Sequence, residues 1–280
     1  MSGSEPHQTI PYYVVDAFTD GPFTGNPAGV CPLKEWLSDD VLQKIAAENN
    51  LAETAFFARE GDAFPLRWFA PEAEVDLCGH ATLAAAHIVY DSPGEHNSPL
   101  RFLTRSGLLT VERQGDRLQM DLSMLPLLPH DAPEDLLEGL GTRPLEVFRA
   151  MDWVCVFDNE STVKNLSPNL EALKRLDLRG VLVTAPGNDV DYVLRCFGPG
   201  IGIPEDPVTG SAQSMLAPYW GERLRKTSLQ VRQLSARGGS LFCEIGGDRV
   251  KVSGRARTYM RGTIFVGEAY AGKFGQGGGV

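Results

Sequence analysis

The feature that most constrains this chain is that it repeats itself. Arg67-Trp68-Phe69-Ala70-Pro71 returns 128 residues later as Arg195-Cys196-Phe197-Gly198-Pro199. Glu74-x-x-x-x-Gly79-x-Ala81 returns at an offset of 131 as Glu205-x-x-x-x-Gly210-x-Ala212. Arg105-x-Gly107-x-Leu109-x-x-Glu112-x-x-Gly115-Asp116-Arg117-Leu118 returns at 132 as Arg237-x-Gly239-x-Leu241-x-x-Glu244-x-x-Gly247-Asp248-Arg249-Val250. Upstream, Leu51-Ala52-Glu53-Thr54-Ala55 aligns with Val181-Leu182-Val183-Thr184-Ala185, which sets Glu53 opposite Val183. One shared turn would explain one match, but an ordered series at a nearly constant offset requires a duplicated unit. A length of 280 residues suits two cores. The expected division is an N-terminal lobe over 10–127 and a C-terminal lobe over 128–270. A strand near 260–268 is expected to return to the first lobe, and a Pro- and Leu-rich linker to fall within 123–138.

Each half reads as α+β. Strand signals fall at 12–19, 54–59, 64–69, 108–113 and 117–122, and again at 153–157, 181–184, 192–197, 241–245 and 249–253. Gly115 and Gly247 are placed where hairpin turns need positive φ. Ser38 or Asp39 caps a helix over 41–47, with a counterpart near 170–176. Residues 81–90 are apolar almost all the way round, so their helix must be enclosed on every side. A curved, barrel-like sheet wrapped around a central helix would enclose it. The repeat predicts a matching helix over 211–216, which Pro218 should kink or end.

Composition narrows the function classes. The net charge is −10, and Lys and Arg are scattered without a basic stripe, which argues against nucleic acid. The longest near-apolar run, 81–90, is far too short for a membrane span. Five dispersed cysteines without a CxxC pair argue against a disulfide scaffold and for a reducing, cytoplasmic setting. No Gly-x-Gly-x-x-Gly, Walker loop or His-Glu-x-x-His is present, so no nucleotide cofactor or metal is expected. His80 and His87 stand about 10 Å apart along one helix, too far to share an ion.

The chemistry should gather at the two helix starts. Asp76-Leu77-Cys78-Gly79-His80 and Glu205-Asp206-Pro207-Val208-Thr209-Gly210-Ser211 each place a glycine after an acidic stretch. The unpaired N–H groups of a helix start hold anions, so two such starts facing one cleft would suit a small carboxylated metabolite. Glu53, His80 and Asp206 are the titratable groups expected there. An acid at a position that tolerates Val suggests an enclosed carboxylate suited to proton transfer. Cys78 and His80 are two residues apart, which on a helix would not bring them face to face, so a Cys–His nucleophilic pair is not expected. Cys31, Cys155, Cys196 and Cys243 lie in strand-like runs and read as core.

Taken together, Val15-Asp16-Ala17-Phe18-Thr19, Gly25-Asn26-Pro27-Ala28, Asn50-Leu51-Ala52-Glu53-Thr54, Cys78-Gly79-His80-Ala81-Thr82 and Glu205-Asp206-Pro207-Val208-Thr209-Gly210-Ser211-Ala212 resemble the PhzF-like family of phenazine-biosynthesis isomerases. The resemblance covers roughly residues 12–266. It implies a diaminopimelate epimerase-like fold and a cofactor- and metal-independent proton shift on a substrate such as trans-2,3-dihydro-3-hydroxyanthranilate. It also implies a homodimer. By resemblance, Glu53 is the acid–base group, His80 and Asp206 are the other catalytic residues, and Gly79, Gly210 and Ser211 hold the substrate carboxylate. Two-thiol epimerases of the same fold place a cysteine before each central helix. Here Cys78 fills the first place and Thr209 the second, and a threonine hydroxyl is too weak an acid for that chemistry. Gln213 departs from a histidine carried by many relatives. The alternatives are epimerisation of an amino-acid derivative, favoured by Cys78, and a binding protein that keeps the fold without catalysis.

Overall fold

A computed structural model describes residues 7–94 and 98–267. The chain forms two compact units. The first takes in the chain up to Ala17, Pro27–Arg113, and the chain from Ala256 onward; the second takes in Phe18–Asn26 and Gln114–Arg255. No helix among the described residues is long and apolar enough to cross a membrane.

In the first unit, strand Asn26–Leu33 runs parallel to Thr54–Ala58, and Thr54–Ala58 runs antiparallel to Phe64–Phe69. Phe64–Phe69 then pairs in parallel with Leu100–Thr104, which turns back on Gly107–Gln114. Strand His7–Ala17 lies antiparallel to Ala256–Gly267 along its whole length, with a bulge between Val14 and Val15. Every residue of Thr54–Ala58 is buried, as befits a strand flanked on both edges and covered on both faces. Helix α1 (Asp39–Asn49) buries Val41, Leu42, Ile45 and Ala46 among Cys31, Phe56 and Phe69. Helix α2 (Gly79–Tyr90) is buried along nearly its whole circumference and packs on strands His7–Ala17, Thr54–Ala58 and Ala256–Gly267. Its run of alanines lets those strands approach closely, which accounts for the apolar surround read from the sequence.

The second unit repeats the ladder. Trp153–Val156 runs parallel to Val181–Pro186, which is antiparallel to Tyr192–Gly198. Tyr192–Gly198 pairs in parallel with Ser228–Gln233, and Ser228–Gln233 is antiparallel to Gly239–Gly246. Arg249–Gly254 and Arg117–Ser123 extend it. Helices α3 (Glu134–Leu140), α4 (Glu160–Asn165) and α5 (Leu170–Leu173) accompany these strands, and α6 (Gln213–Leu224) packs on three of them. The duplicated Arg and Glu have the same task in both units. Arg67 forms a two-pronged ion pair with Glu74 at 2.7 Å for each contact, and Arg195 does so with Glu205 at 2.7 and 3.1 Å. Each guanidinium also sits near an aromatic ring two residues on, Phe69 or Phe197. Gly115 and Gly247 have φ of 62° and 60°, as the turns demand.

Three expectations are corrected. Cross-strand partners pair Phe56 with Arg67 and Val183 with Arg195, so Val183 is the counterpart of Phe56. The Glu53 carbonyl accepts from the Gly29 N–H at 3.0 Å, just as the Gly180 carbonyl accepts from Trp153 at 2.9 Å. Glu53 therefore corresponds to Gly180, and the sequence alignment had slipped by three residues along a stretch of similar apolar side chains. The second correction concerns α6, which begins at Gln213 and runs through Pro218 to Leu224. Proline removes the N–H that would bond to the carbonyl four residues back; that carbonyl, on Ser214, accepts instead from Leu125 N–H at 3.0 Å. The third is the counterpart of α1, which is reduced to the four residues of α5 with α4 before it.

Candidate active site

The first unit holds a line of three side chains. Asn50 ends α1 in the left-handed conformation (φ 49°), and the chain turns through residues 51–53 into the buried strand Thr54–Ala58. That turn delivers Glu53 into the interior, 8% exposed. Cys78 is the N-cap of α2 in extended conformation, and His80 stands on the first turn. Glu53 Oε2 lies 3.2 Å from His80 Nε2, and Cys78 Sγ lies 3.5 Å from His80 Nδ1. The imidazole is thus flanked on both edges. The expectation that Cys78 and His80 stay apart is corrected: Cys78 precedes the helix, so helical side-chain spacing does not govern it. Burial lowers the His80 pKa to about 3, so the ring is neutral near pH 7 and acts through hydrogen bonding, not through charge. One donor atom from each of Glu53, Cys78 and His80 can be chosen so that all three lie within 4.8 Å of one another. Gly79 provides the first helical residue of α2, where N–H groups lack intrahelical acceptors.

The second unit builds its constellation around Asp206, at the end of strand Ile203–Asp206. Asp206 Oδ1 accepts from Asn26 Nδ2 at 2.7 Å, and Oδ2 accepts from Thr209 Oγ1 at 2.6 Å. Burial pushes the Asp206 pKa up to about 6; the Thr209 and Asn26 hydrogen bonds and the Arg179 charge pull the other way. Gln233, fully buried, accepts from Thr209 N–H at 2.7 Å and donates to the Asp206 carbonyl at 2.7 Å, clamping the loop into α6. Gln213, also fully buried, donates to the Thr209 carbonyl at 3.2 Å and accepts from the Tyr192 hydroxyl. Gln213 thus serves as an amide tie of the loop. Gly210 faces Phe18, whose ring would lie 3.1 Å from an added Cβ, so a larger residue is tight there. Ser211 Oγ is 3.5 Å from Arg179 Nη2, and that guanidinium is held two-pronged by the fully buried Asp152 at 3.0 and 2.6 Å.

Glu53, His80, Asp206, Gly79, Gly210 and Ser211 are the site residues expected from the sequence. Asn26, Arg179, Asp152 and Gln233, which fix the geometry around Asp206, are not among them. The Gly25-Asn26-Pro27 turn was a usable signal for Asn26; nothing local marks Gln233 or Asp152, which act across 24 and 27 residues of chain. The other four cysteines are core, as read: all are buried, and burial pushes the Cys243 thiol up to about 12.

The profile of the phenazine biosynthesis-like protein family (PhzC-PhzF) matches residues 15–262. The chain belongs to the PhzF family. It is 52% identical over 255 residues to a Pseudomonas aeruginosa protein named as an uncharacterized isomerase, covering 91% of this chain and 98% of that one. It is similar in structure to a PhzF-family phenazine biosynthesis protein from Enterococcus faecalis, with a TM-score of 0.90 and 43% identity over 92% of this chain and all of the other. A hydroxyproline epimerase from Agrobacterium vitis shares the fold alone, with a TM-score of 0.59 and 12% identity over 95% of each chain. In this PhzF-family chain the architecture is therefore the duplicated α+β, epimerase-like fold.

Proposed function

We propose that this PhzF-family chain is a cofactor-independent isomerase that moves a proton on a small carboxylated substrate resembling trans-2,3-dihydro-3-hydroxyanthranilate. Glu53 is the general acid and base. The observation that carries this reading is the enclosure of Glu53, with Oε2 3.2 Å from a neutral imidazole. A carboxylate stripped of water is a more competent base than a hydrated one. Glu53 takes a proton from a carbon acidified by conjugation, the electron pair moves through the conjugated system, and the same proton returns at another carbon. Atoms and oxidation state are unchanged overall. His80 orients Glu53 without adding charge. By the family resemblance alone, Asp206 is assigned to catalysis and Gly79, Gly210 and Ser211 to binding of the carboxylate; burial raises the Asp206 pKa to about 6. The family, with a 52% identical relative named as an isomerase, supports the reaction class.

The test is proton NMR of trans-2,3-dihydro-3-hydroxyanthranilate in deuterated buffer, with the wild type beside Glu53→Gln. Conversion by the wild type, reduced at least about a thousandfold in the folded variant, is expected for loss of the proton-transfer group. Full activity of Glu53→Gln rejects its role, and an inert wild type rejects this substrate. One contact favours a second reading, epimerisation of an amino-acid derivative: Cys78 Sγ lies 3.5 Å from His80 Nδ1, where a thiol could serve as a second proton carrier. Unchanged turnover by Cys78→Ala removes that reading.

A further inference from the structure

The second unit carries a guanidinium whose hydrogen-bonding capacity is only partly used. Strands Trp153–Val156 and Val181–Pro186 run parallel with Trp153 opposite Val181, and the Trp153 N–H is tied to the Gly180 carbonyl at 2.9 Å. That register brings Asp152 and Arg179 together just ahead of the two strands. Asp152 is fully buried and accepts from Arg179 Nε at 3.0 Å and Nη2 at 2.6 Å. This side-on grip fixes the plane of the guanidinium and uses the Nε hydrogen and one Nη2 hydrogen. The other Nη2 hydrogen and both on Nη1 remain. Among the described residues, Nη1 has no hydrogen-bond partner, and Ser211 Oγ stands 3.5 Å from Nη2, past the usual length of an N–H···O bond. The Arg179 side chain is 36% exposed and that of Asp152 only 1%, so the pair opens to solvent on the arginine side. Neutralising Asp152 needs only a charge. A fixed plane with an open Nη1–Nη2 edge beside a hydroxyl adds a shape, and two parallel N–H groups fit a carboxylate.

The duplication points the same way. With Glu53 the counterpart of Gly180, Ala52 is the counterpart of Arg179, and the repeat sets His80 against Ser211. The same stretch of chain thus brings an acid to His80 at 3.2 Å in the first unit and a guanidinium to Ser211 at 3.5 Å in the second. One scaffold has been given opposite charges in its two copies. Asp152 already offsets much of the Arg179 charge, and the Asp206 carboxyl is close enough to feel it. That balance suits a monoanion better than a doubly charged phosphate.

We infer that Arg179, pinned by Asp152 and flanked by Ser211, is a carboxylate-recognition residue that selects a carboxylated ligand over its neutral analogue. That this carboxylate belongs to the isomerase substrate rests on the reading above; the anion site itself does not.

The experiment is fluorescence titration of the full chain with anthranilate and with 2-aminobenzamide, which has the same outline without the charge. The wild type is expected to bind anthranilate about tenfold or more tightly than the amide. Arg179→Lys keeps a cation for the buried Asp152 but loses the planar fork, and should reduce that preference to about twofold or less. The paired change Arg179→Gln with Asp152→Asn removes both charges together, so that neither is stranded, and should do the same. Far-ultraviolet circular dichroism checks that each variant is folded. Equal affinity of the wild type for the two probes, or no binding of anthranilate, overturns the proposal. So does a preference that survives in either folded variant, because Arg179 would then serve the fold alone. In the isomerase assay, Arg179→Lys should raise KM about tenfold or more with a smaller change in kcat. If the probes are discriminated as expected and the wild type turns over no substrate, the carboxylate site stands and the isomerase reading fails. If the wild type isomerises and Arg179→Lys leaves KM unchanged, the isomerase reading stands and the role of Arg179 fails.

Discussion

Two side chains of the candidate site respond to pH in opposite senses. His80 has a folded pKa of about 3 against an ordinary 6.5. Its contribution is complete above pH 6.5 and is lost as pH falls from there toward 3, because the unfolded chain takes up a proton that the folded one refuses. Asp206 has a folded pKa of about 6 against an ordinary 3.8. Here the folded state holds the extra proton, so stability is greatest below about pH 4 and declines as pH rises toward 6. The two slopes oppose each other between pH 4 and 6. Replacing Asp206 with Asn removes one of them. Urea unfolding should show the variant gaining on the wild type by up to about 1.4 kcal/mol per pH unit across that window, and parallel curves would show that Asp206 is not perturbed. A second prediction concerns Gln233. Gln233→Leu strands the buried Thr209 N–H and the Asp206 carbonyl. A loss of about 2–3 kcal/mol in urea unfolding is expected.

At the scale of the element, α6 shows how a helix tolerates an interior proline. A proline inside a helix ordinarily costs about 3 kcal/mol. Here the Ser214 carbonyl it leaves open is taken by Leu125 N–H from outside the helix. Pro218→Ala should therefore recover much less than 3 kcal/mol, about 1 kcal/mol or less. Leu125→Pro, which removes the external donor, should cost about 1–3 kcal/mol. Thermal unfolding of both variants distinguishes this from an ordinary proline kink, for which the first substitution would be strongly stabilising. The slip that set Glu53 opposite Val183 also belongs to this scale. Strand Thr54–Ala58 is buried throughout and Val181–Pro186 is buried up to its exposed last residue, so their apolar residues carry no alternation to fix the register. Only the hydrogen-bond partners, Gly29 for Glu53 and Trp153 for Gly180, settle it.

At the scale of the whole molecule, the first compact unit is not continuous in sequence. It needs Ala256–Gly267, which pairs with His7–Ala17 along eleven positions of register and covers α2. A chain stopped after Arg255 would leave one edge of that strand without its antiparallel partner and one side of an apolar helix uncovered. Such a truncation should lose the cooperative unfolding of the first unit while the second keeps its own core, and hydrogen exchange mapped along the chain would show it. Uniform protection of both units in the truncated protein would refute this.

The duplication, the enclosed helix over 81–90 and the turn glycines at Gly115 and Gly247 were legible in the sequence; the enclosure of Glu53 was reached from a slipped alignment, and only its burial in the fold supports it. The legible features follow from local pattern: a repeat offset, an apolar surround, a positive-φ turn. The folded chain was needed to establish that Glu53 corresponds to Gly180, that Cys78 touches His80, and that Asn26, Gln233, Gln213, Arg179 and Asp152 hold the loop around Asp206. Those are matters of register and of contacts between residues remote along the chain. A buried amide that reaches across 24 residues to one N–H leaves no periodic trace, because its partner is chosen by the packing of strands and not by its neighbours in sequence.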